Sequence, residues 1–223
     1  MGSRHEVRHS FGGRVLLEKE LKYELCKADY SKLLRAVRSH RPNAHKLQNF
    51  YFDDRQLRLR KKRYALRIRI IDGKKYFFTL KYPAKQPKNS PRSFKVRVEH
   101  EFPISKTLAL KVLRQDQNIM ELDLPAIRIL KRQFSKNILS KIAPLGMVEC
   151  TRTVVPLEKW LELEIDRCKI YNKKFYELEV ETSQPVKVDK AVRIFLKANG
   201  IPYHPIARSK FARFVQEWKK RHR

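Results

Sequence analysis

The strongest constraint on the fold is a strict two-residue alternation that runs from Val15 to Leu25. Apolar side chains occupy one parity of this segment, and the other parity is charged: Glu18, Glu20, Lys22 and Glu24. A period of two over this length predicts a β-strand. Three carboxylates and one ammonium on the same strand face require either water or a polar cavity beside them.

The same alternation recurs in later segments that begin near Leu66, Tyr76, Phe94, Leu161 and Tyr176. Asp72-Gly73 separates two of these segments, and this dipeptide is typical of a hairpin turn. Helical periodicity is confined to residues 28–39, 105–143, 187–198 and a basic tail at 208–223. Strands without a repeated β–helix–β unit predict an α+β fold with a large antiparallel sheet. We expect residues 1–13 to be a flexible lead-in and residues 14–223 to form one domain.

The predicted strand faces concentrate the acids of a very basic chain. They carry eleven of its 23 acids: Glu18, Glu20, Glu24, Glu99, Glu101, Glu162, Glu164, Asp166, Glu177, Glu179 and Glu181. They carry seven of its 52 bases: Lys22, Arg67, Arg69, Lys81, Lys95, Arg97 and Arg152. The rest of the chain therefore has 12 acids against 45 bases. A sheet with one solvated face is the alternative, but this segregation favours polar faces that close into a barrel lumen.

Carboxylates at this density call for a cation, and oxygen ligands favour Mg²⁺ or Mn²⁺. Arginine and lysine side chains suit phosphate oxygens. A divalent metal beside basic side chains is the recurring equipment for phosphoryl transfer. The chain has only six glycines and no Gly-x-x-x-x-Gly-Lys loop, so side chains rather than a backbone nest would hold the phosphates.

Composition narrows the partners further. The formal net charge of +29 indicates a polyanion such as nucleic acid, polyphosphate or an anionic membrane surface. Cys26, Cys150 and Cys168 lie far apart without metal-ligand spacing, so we expect reduced thiols and a cytoplasmic protein. The sequence has no apolar run that approaches a membrane span.

The ordered motifs resemble the CYTH superfamily, whose members are also called triphosphate tunnel metalloenzymes. The resemblance covers residues 14–214 and is carried by Glu18-x-Glu20-x-Lys22, Tyr51-Phe-Asp53, Leu66-Arg67-Ile-Arg69, Thr79-Leu-Lys81, Arg97-x-Glu99-x-Glu101, Arg152, Glu164-x-Asp166, Glu177-x-Glu179-x-Glu181 and Ser209-Lys210-Phe211. It implies a closed eight-stranded antiparallel β-barrel, a tunnel, with helices packed outside.

The resemblance also implies roles for sixteen residues. The metal, Mg²⁺ or Mn²⁺, would be held by Glu18, Glu20, Glu179 and Glu181. The phosphate chain would be bound by Lys22, Arg67, Arg69, Lys81, Arg97, Arg152 and Lys210. A second metal or the attacking water would be held by the catalytic set Glu99, Glu101, Glu164, Asp166 and Glu177. Pro83 departs from a second lysine that many members carry there, and Lys85 is the nearest substitute.

Three functional hypotheses follow. The first is a metal-dependent hydrolase of triphosphates, with inorganic tripolyphosphate ahead of nucleoside or thiamine triphosphate. The second is a binding module for polyphosphate or nucleic acid that uses the basic exterior, including Arg58, Arg60, Lys61, Lys62 and Arg63. The third is a class IV-type adenylate cyclase. The preferred triphosphate and the oligomeric state are left open.

Overall fold

A computed structural model of the chain describes residues 7–8, 12–206 and 208–222. All strands named there are antiparallel to their neighbours. They are β1 Val7–Arg8, β2 Arg14–Leu25, β3 Asn43–Asp53, β4 Ala65–Ile71, β5 Lys75–Pro83, β6 Phe94–Pro103, β7 Ala143–Glu158, β8 Leu161–Ile170 and β9 Lys173–Glu181. Most of the predicted lead-in 1–13 lies outside the described residues, and β1 within it pairs with β2.

The long strands close on themselves. Their order is β2-β6-β5-β4-β3-β7-β8-β9, and β9 pairs again with β2. The predicted eight-stranded antiparallel barrel is therefore confirmed. The hairpin predicted at Asp72-Gly73 is also confirmed, because β4 and β5 pair on either side of it and both turn residues have positive φ.

The described residues form seven α-helices, which cover the helical segments predicted from the sequence. They are α1 Lys27–Ala36, α2 Arg58–Lys61, α3 Lys106–Arg114, α4 Pro125–Gln133, α5 Lys136–Leu139, α6 Pro185–Ala198 and α7 Lys210–Arg221. None of these helices is long and apolar enough to cross a membrane. Helical periodicity did not predict α2, which is a single turn. Its backbone N–H groups donate hydrogen bonds to the carboxylates of Asp53 and Asp54.

The apolar strand faces point outward and pack on helices. On one side, Leu66, Ile68 and Phe78 are buried against Val112 of α3 and Ile127 of α4. On the other side, α1 and α6 cover β2, β8 and β9, and this cluster includes Leu21, Tyr23, Leu163, Leu178, Leu33 and Val192. Except for Phe78, which lies between Phe77 and Thr79, each of these strand residues is next to a charged residue of the opposite parity. Burial of the apolar face therefore turns the charged face into the lumen.

Helix α7 has a different position, because it packs on the lumen-facing parity at one end of the barrel. Phe211 stacks on Tyr51 with 4.5 Å between ring centroids, and Phe214 lies 5.7 Å from the same ring. Val148 belongs to this cluster and shares its parity with Arg152. Gly146 has φ +149°, and a Cβ there would lie 3.0 Å from the Phe214 ring, so glycine permits the close approach.

The expectation of three reduced thiols is wrong for two of them. Cys150 and Cys168 face each other across β7 and β8 and form a disulfide, with 4.0 Å between their Cα atoms. Both lie in the buried cluster beneath α7. Cys26 is free and exposed, and its sulfur accepts the Asp29 backbone N–H at the start of α1.

Candidate active site in the barrel lumen

The lumen contains a cavity of about 270 Å³. Fourteen of the sixteen predicted site residues line it: Glu18, Glu20, Lys22, Arg67, Arg69, Lys81, Arg97, Glu99, Glu101, Arg152, Glu164, Glu179, Glu181 and Lys210. The other two, Asp166 and Glu177, are fully buried and contact Lys210 instead. Glu162, which shares their parity on β8, is exposed and does not line the cavity.

Strand register explains why these charges meet. In the β2–β9 pair, Glu20 faces Glu181 and Lys22 faces Glu179. In the β8–β9 pair, Glu164 also faces Glu179. Directly opposed like charges destabilise a sheet, so the Glu20–Glu181 and Glu164–Glu179 pairs need cations beside them.

Lys81 is the cation of a first group of lumen carboxylates. Its ammonium contacts Glu18 and lies 3.1 Å from Glu99, and Arg67 donates to Glu99 at 3.3 Å. Burial alone would raise the pKa of Glu18, but the Lys81 and Lys22 ammonium groups outweigh it and hold that pKa at about 2. Glu18 is therefore a carboxylate throughout the physiological range.

Lys210 is the cation of a second group of carboxylates. Its Nζ lies 2.8 Å from Asp166, 2.5 Å from Glu177 and 2.6 Å from Glu179. Burial opposes the ammonium charge, yet the three carboxylates raise the pKa of Lys210. Ser209 caps α7 by accepting the Ala212 N–H at 3.1 Å, and this fixes the turn that delivers Lys210.

Arg152 of β7 contacts carboxylates of β8 and β9, including two that Lys210 also contacts. It donates two hydrogen bonds to Asp166, at 2.9 and 2.7 Å, and also contacts Glu164 and Glu179. The fork geometry of guanidinium suits such a bidentate carboxylate pair. Asp166 therefore holds Arg152 and Lys210 in place from beneath the lumen.

Glu20 has less compensation. Its nearest cation is Lys22, at 3.2 Å, and that ammonium also contacts Glu179. Burial and the negative charges of Glu18 and Glu179 raise the pKa of Glu20 to about 7, although Lys22 opposes them. The Glu20 side of the lumen therefore has an excess of negative charge.

The carboxylates at this side fit a divalent cation. Glu18 Oε2 is buried and has no hydrogen-bond partner among the described residues, and Glu20 is deficient in positive neighbours. Oxygen donors suit Mg²⁺ or Mn²⁺, and Mg²⁺ is held by one or two carboxylates together with waters and substrate phosphates. The lumen thus offers Glu18, Glu20 and Glu181 to a metal.

The fourth predicted metal ligand, Glu179, is placed differently. Within the described chain, the group of carboxylate oxygens that come within 4.8 Å of one another is Asp166, Glu177 and Glu179, rather than the four predicted ligands. Lys210 already contacts all three, so a metal ion there would have to displace its ammonium. Glu179 therefore stands between the predicted metal site and the Lys210 cluster.

Several residues that line the lumen were not predicted as site residues from the sequence. Arg14 lines the cavity and pairs with Glu101 at 2.6 Å, and it begins the same charged parity as Glu18. Tyr51 and Phe211 had been noted only as parts of motifs, yet both line the lumen. Lys85, the suggested substitute for a lysine at Pro83, is exposed and lines no part of the lumen.

A closed antiparallel barrel with interleaved carboxylates and basic side chains in its lumen defines the class of charged-tunnel β-barrel proteins. Residues 16–215 match the CYTH domain. This match spans most of the 223 residues, and the chain belongs to the CYTH family, as the sequence motifs predicted. No curated protein matches the chain.

Solved structures give the same architecture. HpAC1 from Hippeastrum, named for adenylyl cyclase and described as having a dominant triphosphatase activity, is 26% identical with a TM-score of 0.81; the alignment covers 90% of this chain and 96% of that one. A Bacillus halodurans protein named for adenylate cyclase is 22% identical with a TM-score of 0.71, covering 90% and 98%. A Pyrococcus horikoshii protein is 20% identical with a TM-score of 0.54, covering 90% and 99%.

Proposed function

We propose that the protein is a divalent-metal-dependent hydrolase of triphosphates, with inorganic tripolyphosphate as the first candidate substrate. The observation that carries the proposal is the pairing of two buried atoms in one lumen. Glu18 Oε2 lacks a hydrogen-bond donor and Arg67 Nε lacks an acceptor among the described residues. A divalent cation satisfies the first atom, and a phosphate oxygen satisfies the second.

The size of the lumen favours a bare phosphate chain. Its volume of about 270 Å³ falls below the range of roughly 300–1,000 Å³ typical of drug-sized ligands. Tyr51 and Phe211 stack on each other in its wall rather than presenting a free slot for a base. A nucleoside would therefore have to lie outside the lumen. The triphosphatase activity described for HpAC1, whose chain aligns over 96% of its length, agrees with this substrate class.

In this proposal the chain's own residues divide three tasks. Phosphate oxygens are bound by the lumen bases Lys22, Arg67, Arg69, Lys81, Arg97 and Arg152. Metal is held by Glu18, Glu20 and Glu181, with Glu179 adjacent; when bound, Mg²⁺ or Mn²⁺ polarises the terminal phosphoryl group. Glu99, Glu101 and Glu164 line the lumen and orient the attacking water, whereas the buried Asp166 and Glu177 position Lys210 and Arg152.

Phosphate release tests the proposal directly. We expect the purified protein with Mg²⁺ or Mn²⁺ to release phosphate from tripolyphosphate faster than from ATP or thiamine triphosphate, and chelation to abolish the release. Glu18→Gln should lower the rate by at least about a hundredfold while the far-ultraviolet circular dichroism is unchanged. Glu162→Gln, which removes an exposed carboxylate of the same strand system, is the matched control. Equal rates in the two variants would remove the site assignment.

A cyclase is the second candidate, because the HpAC1 chain of TM-score 0.81 carries that name. Chromatography after incubation with ATP separates the two activities. A hydrolase yields ADP and phosphate, whereas a cyclase yields cyclic AMP and pyrophosphate. Cyclic AMP as the main product would replace the hydrolase proposal.

A further inference from the structure

A second cavity adjoins the lumen at one end and has no role in the function proposed above. Its volume is about 950 Å³, more than three times that of the lumen. The two cavities share Arg97, Ser209 and Phe211 in their walls. We call this second cavity the vestibule. The shared residues place the two cavities next to each other at the end of the barrel where α7 begins.

The vestibule is strongly basic. Beyond Arg97, its walls carry six bases: Arg60, Arg63, Arg92, Lys95, Arg208 and Arg213. Its one lining acid, Glu24, is paired with Arg213 at 2.7 Å. No ion pair joins the other five bases to an acid of the described chain. Arg97 itself donates to the backbone carbonyl oxygens of Arg63 and Lys81, at 2.6 and 3.1 Å, rather than to a carboxylate.

Lys95 lies in the vestibule wall and faces Glu20 across the β2–β6 pair. Burial and the positive charges of Lys22 and Arg97 lower the pKa of Lys95 to about 8, although Glu20 opposes them. The charge pattern thus indicates an anionic ligand of more than one charge, since five bases lack an acidic partner.

The aromatic side chains decide between two kinds of polyanion. Phe94 and Phe211 are buried, with only 6% and 4% of their surface exposed. Tyr64 stacks on Tyr82 with 5.4 Å between centroids and meets Phe134 edge-on. Single-stranded nucleic acid is bound largely by stacking bases on free aromatic faces. The vestibule has basic side chains without such platforms, which favours a ligand made of phosphates alone.

We propose that the vestibule is a second anion subsite, which holds the part of an inorganic polyphosphate chain that extends beyond the phosphates in the lumen. It rests on the proposed function, and it names long-chain polyphosphate as the preferred substrate. In each turnover the oxygen of one water bonds to the terminal phosphorus, and the bond from that phosphorus to its bridging oxygen breaks. Orthophosphate leaves, the chain becomes one phosphate shorter, and the water's proton passes to the released oxygens or to solvent.

The test removes vestibule charge without touching the lumen. The triple variant Arg63→Gln, Arg92→Gln, Arg208→Gln changes three exposed vestibule residues. The control Lys111→Gln, Arg114→Gln, Lys131→Gln removes the same charge from exposed positions of α3 and α4. The substrates are tripolyphosphate and a polyphosphate of about one hundred phosphates, each at two salt concentrations.

We expect the vestibule variant to lower kcat/KM for the long chain about tenfold, as for three lost surface ion pairs. The change for tripolyphosphate should be less than about twofold, and the salt dependence with the long chain should weaken. The control should change neither substrate. Equal effects of both triple variants, or equal effects on both substrates, would overturn the proposal. If the triple variant does not fold, Arg92→Glu on the exposed loop carries the same comparison.

Two further experiments test the vestibule subsite independently of the hydrolase activity. Binding of the long chain to the Glu18→Gln protein is measured by titration, with and without the vestibule substitutions. A weakened affinity supports the subsite even if the wild type releases no phosphate, and that second result would refute only the hydrolase. A 5′-triphosphorylated RNA is the alternative ligand. A vestibule effect seen with this RNA but absent with polyphosphate would overturn the choice of ligand.

Discussion

Replacing Glu20 with glutamine tests the electrostatics of the lumen without any substrate. The folded-state pKa of Glu20 is about 7, against 4.5 for an ordinary glutamate. Because the folded pKa is raised, the folded state keeps its proton at pH values where the unfolded chain has lost it. The stability contributed by this proton is fully present below about pH 4.5 and is lost as pH rises through about 7.

The two pKa values of Glu20 give the size of this contribution to stability. The pKa difference of about 2.5 corresponds to at most roughly 3–4 kcal/mol, at about 1.4 kcal/mol per pKa unit. Between pH 5 and pH 8 the same linkage gives roughly 2–3 kcal/mol, because part of the change lies below pH 5. Glu20 is only 7% exposed, so solvent screening does not reduce this figure greatly. Glutamine cannot ionise, and Glu20→Gln should therefore lose this part of the pH dependence.

The assay is urea unfolding followed by circular dichroism at pH 5, 6, 7 and 8, in a chelator and at constant ionic strength. The free energy of unfolding of the wild type should fall from pH 5 to pH 8 by roughly 2–3 kcal/mol more than that of Glu20→Gln. Glu162→Gln removes an exposed carboxylate and should follow the wild type. The reasoning is refuted if Glu20→Gln and the wild type have the same pH dependence within about 0.5 kcal/mol.

Three further predictions concern the ion pairs, the disulfide and the metal. Lys210→Met should destabilise the protein by about 3–5 kcal/mol, because three buried carboxylates lose a shared cation; Lys219→Met, exposed on the same helix, should be nearly neutral in urea unfolding. Reduction should cost about 3 kcal/mol for a bridge between residues 18 apart, and thiol titration should give one thiol before reduction and three after it; three at the outset would contradict the disulfide. Millimolar Mg²⁺ should raise the melting temperature of the wild type but not of Glu18→Gln, and an equal shift in both would place the metal elsewhere.

The lumen residues could be predicted from the sequence because the alternation within each strand shows which face is buried. In Leu66-Arg67-Ile68-Arg69 the parity is evident without any neighbour, and the structure buries Leu66 and Ile68 as that parity requires. Barrel closure was not evident in this way. It depends on the pairing of β2 with β9, which are far apart in the chain. The segregation of charge favoured closure, and the family resemblance gave the number of strands.

The register between strands was the main feature that the sequence did not predict, and the disulfide was missed for this reason. Arg152 faces Asp166 across β7 and β8, and the same register necessarily places Cys150 opposite Cys168. Treating that Arg–Asp pair as cross-strand neighbours would have predicted the disulfide from the sequence. The vestibule had no such local signal. Its bases come from α2 and the residues after it, from the β6 region and from the start of α7, so only the tertiary fold brings them together.

The distribution of charge links metal binding to substrate binding. The lumen lining and the two acids beneath it contain eight bases and nine acids, so the surplus of +29 lies elsewhere in the chain. Several lumen bases are already paired with carboxylates, as Lys81 is with Glu18 and Lys22 with Glu179. A phosphate chain that takes over these bases must release their carboxylates, and buried carboxylates without a cation are costly. A divalent metal offsets that cost by binding the released oxygens, so each ligand should strengthen the binding of the other.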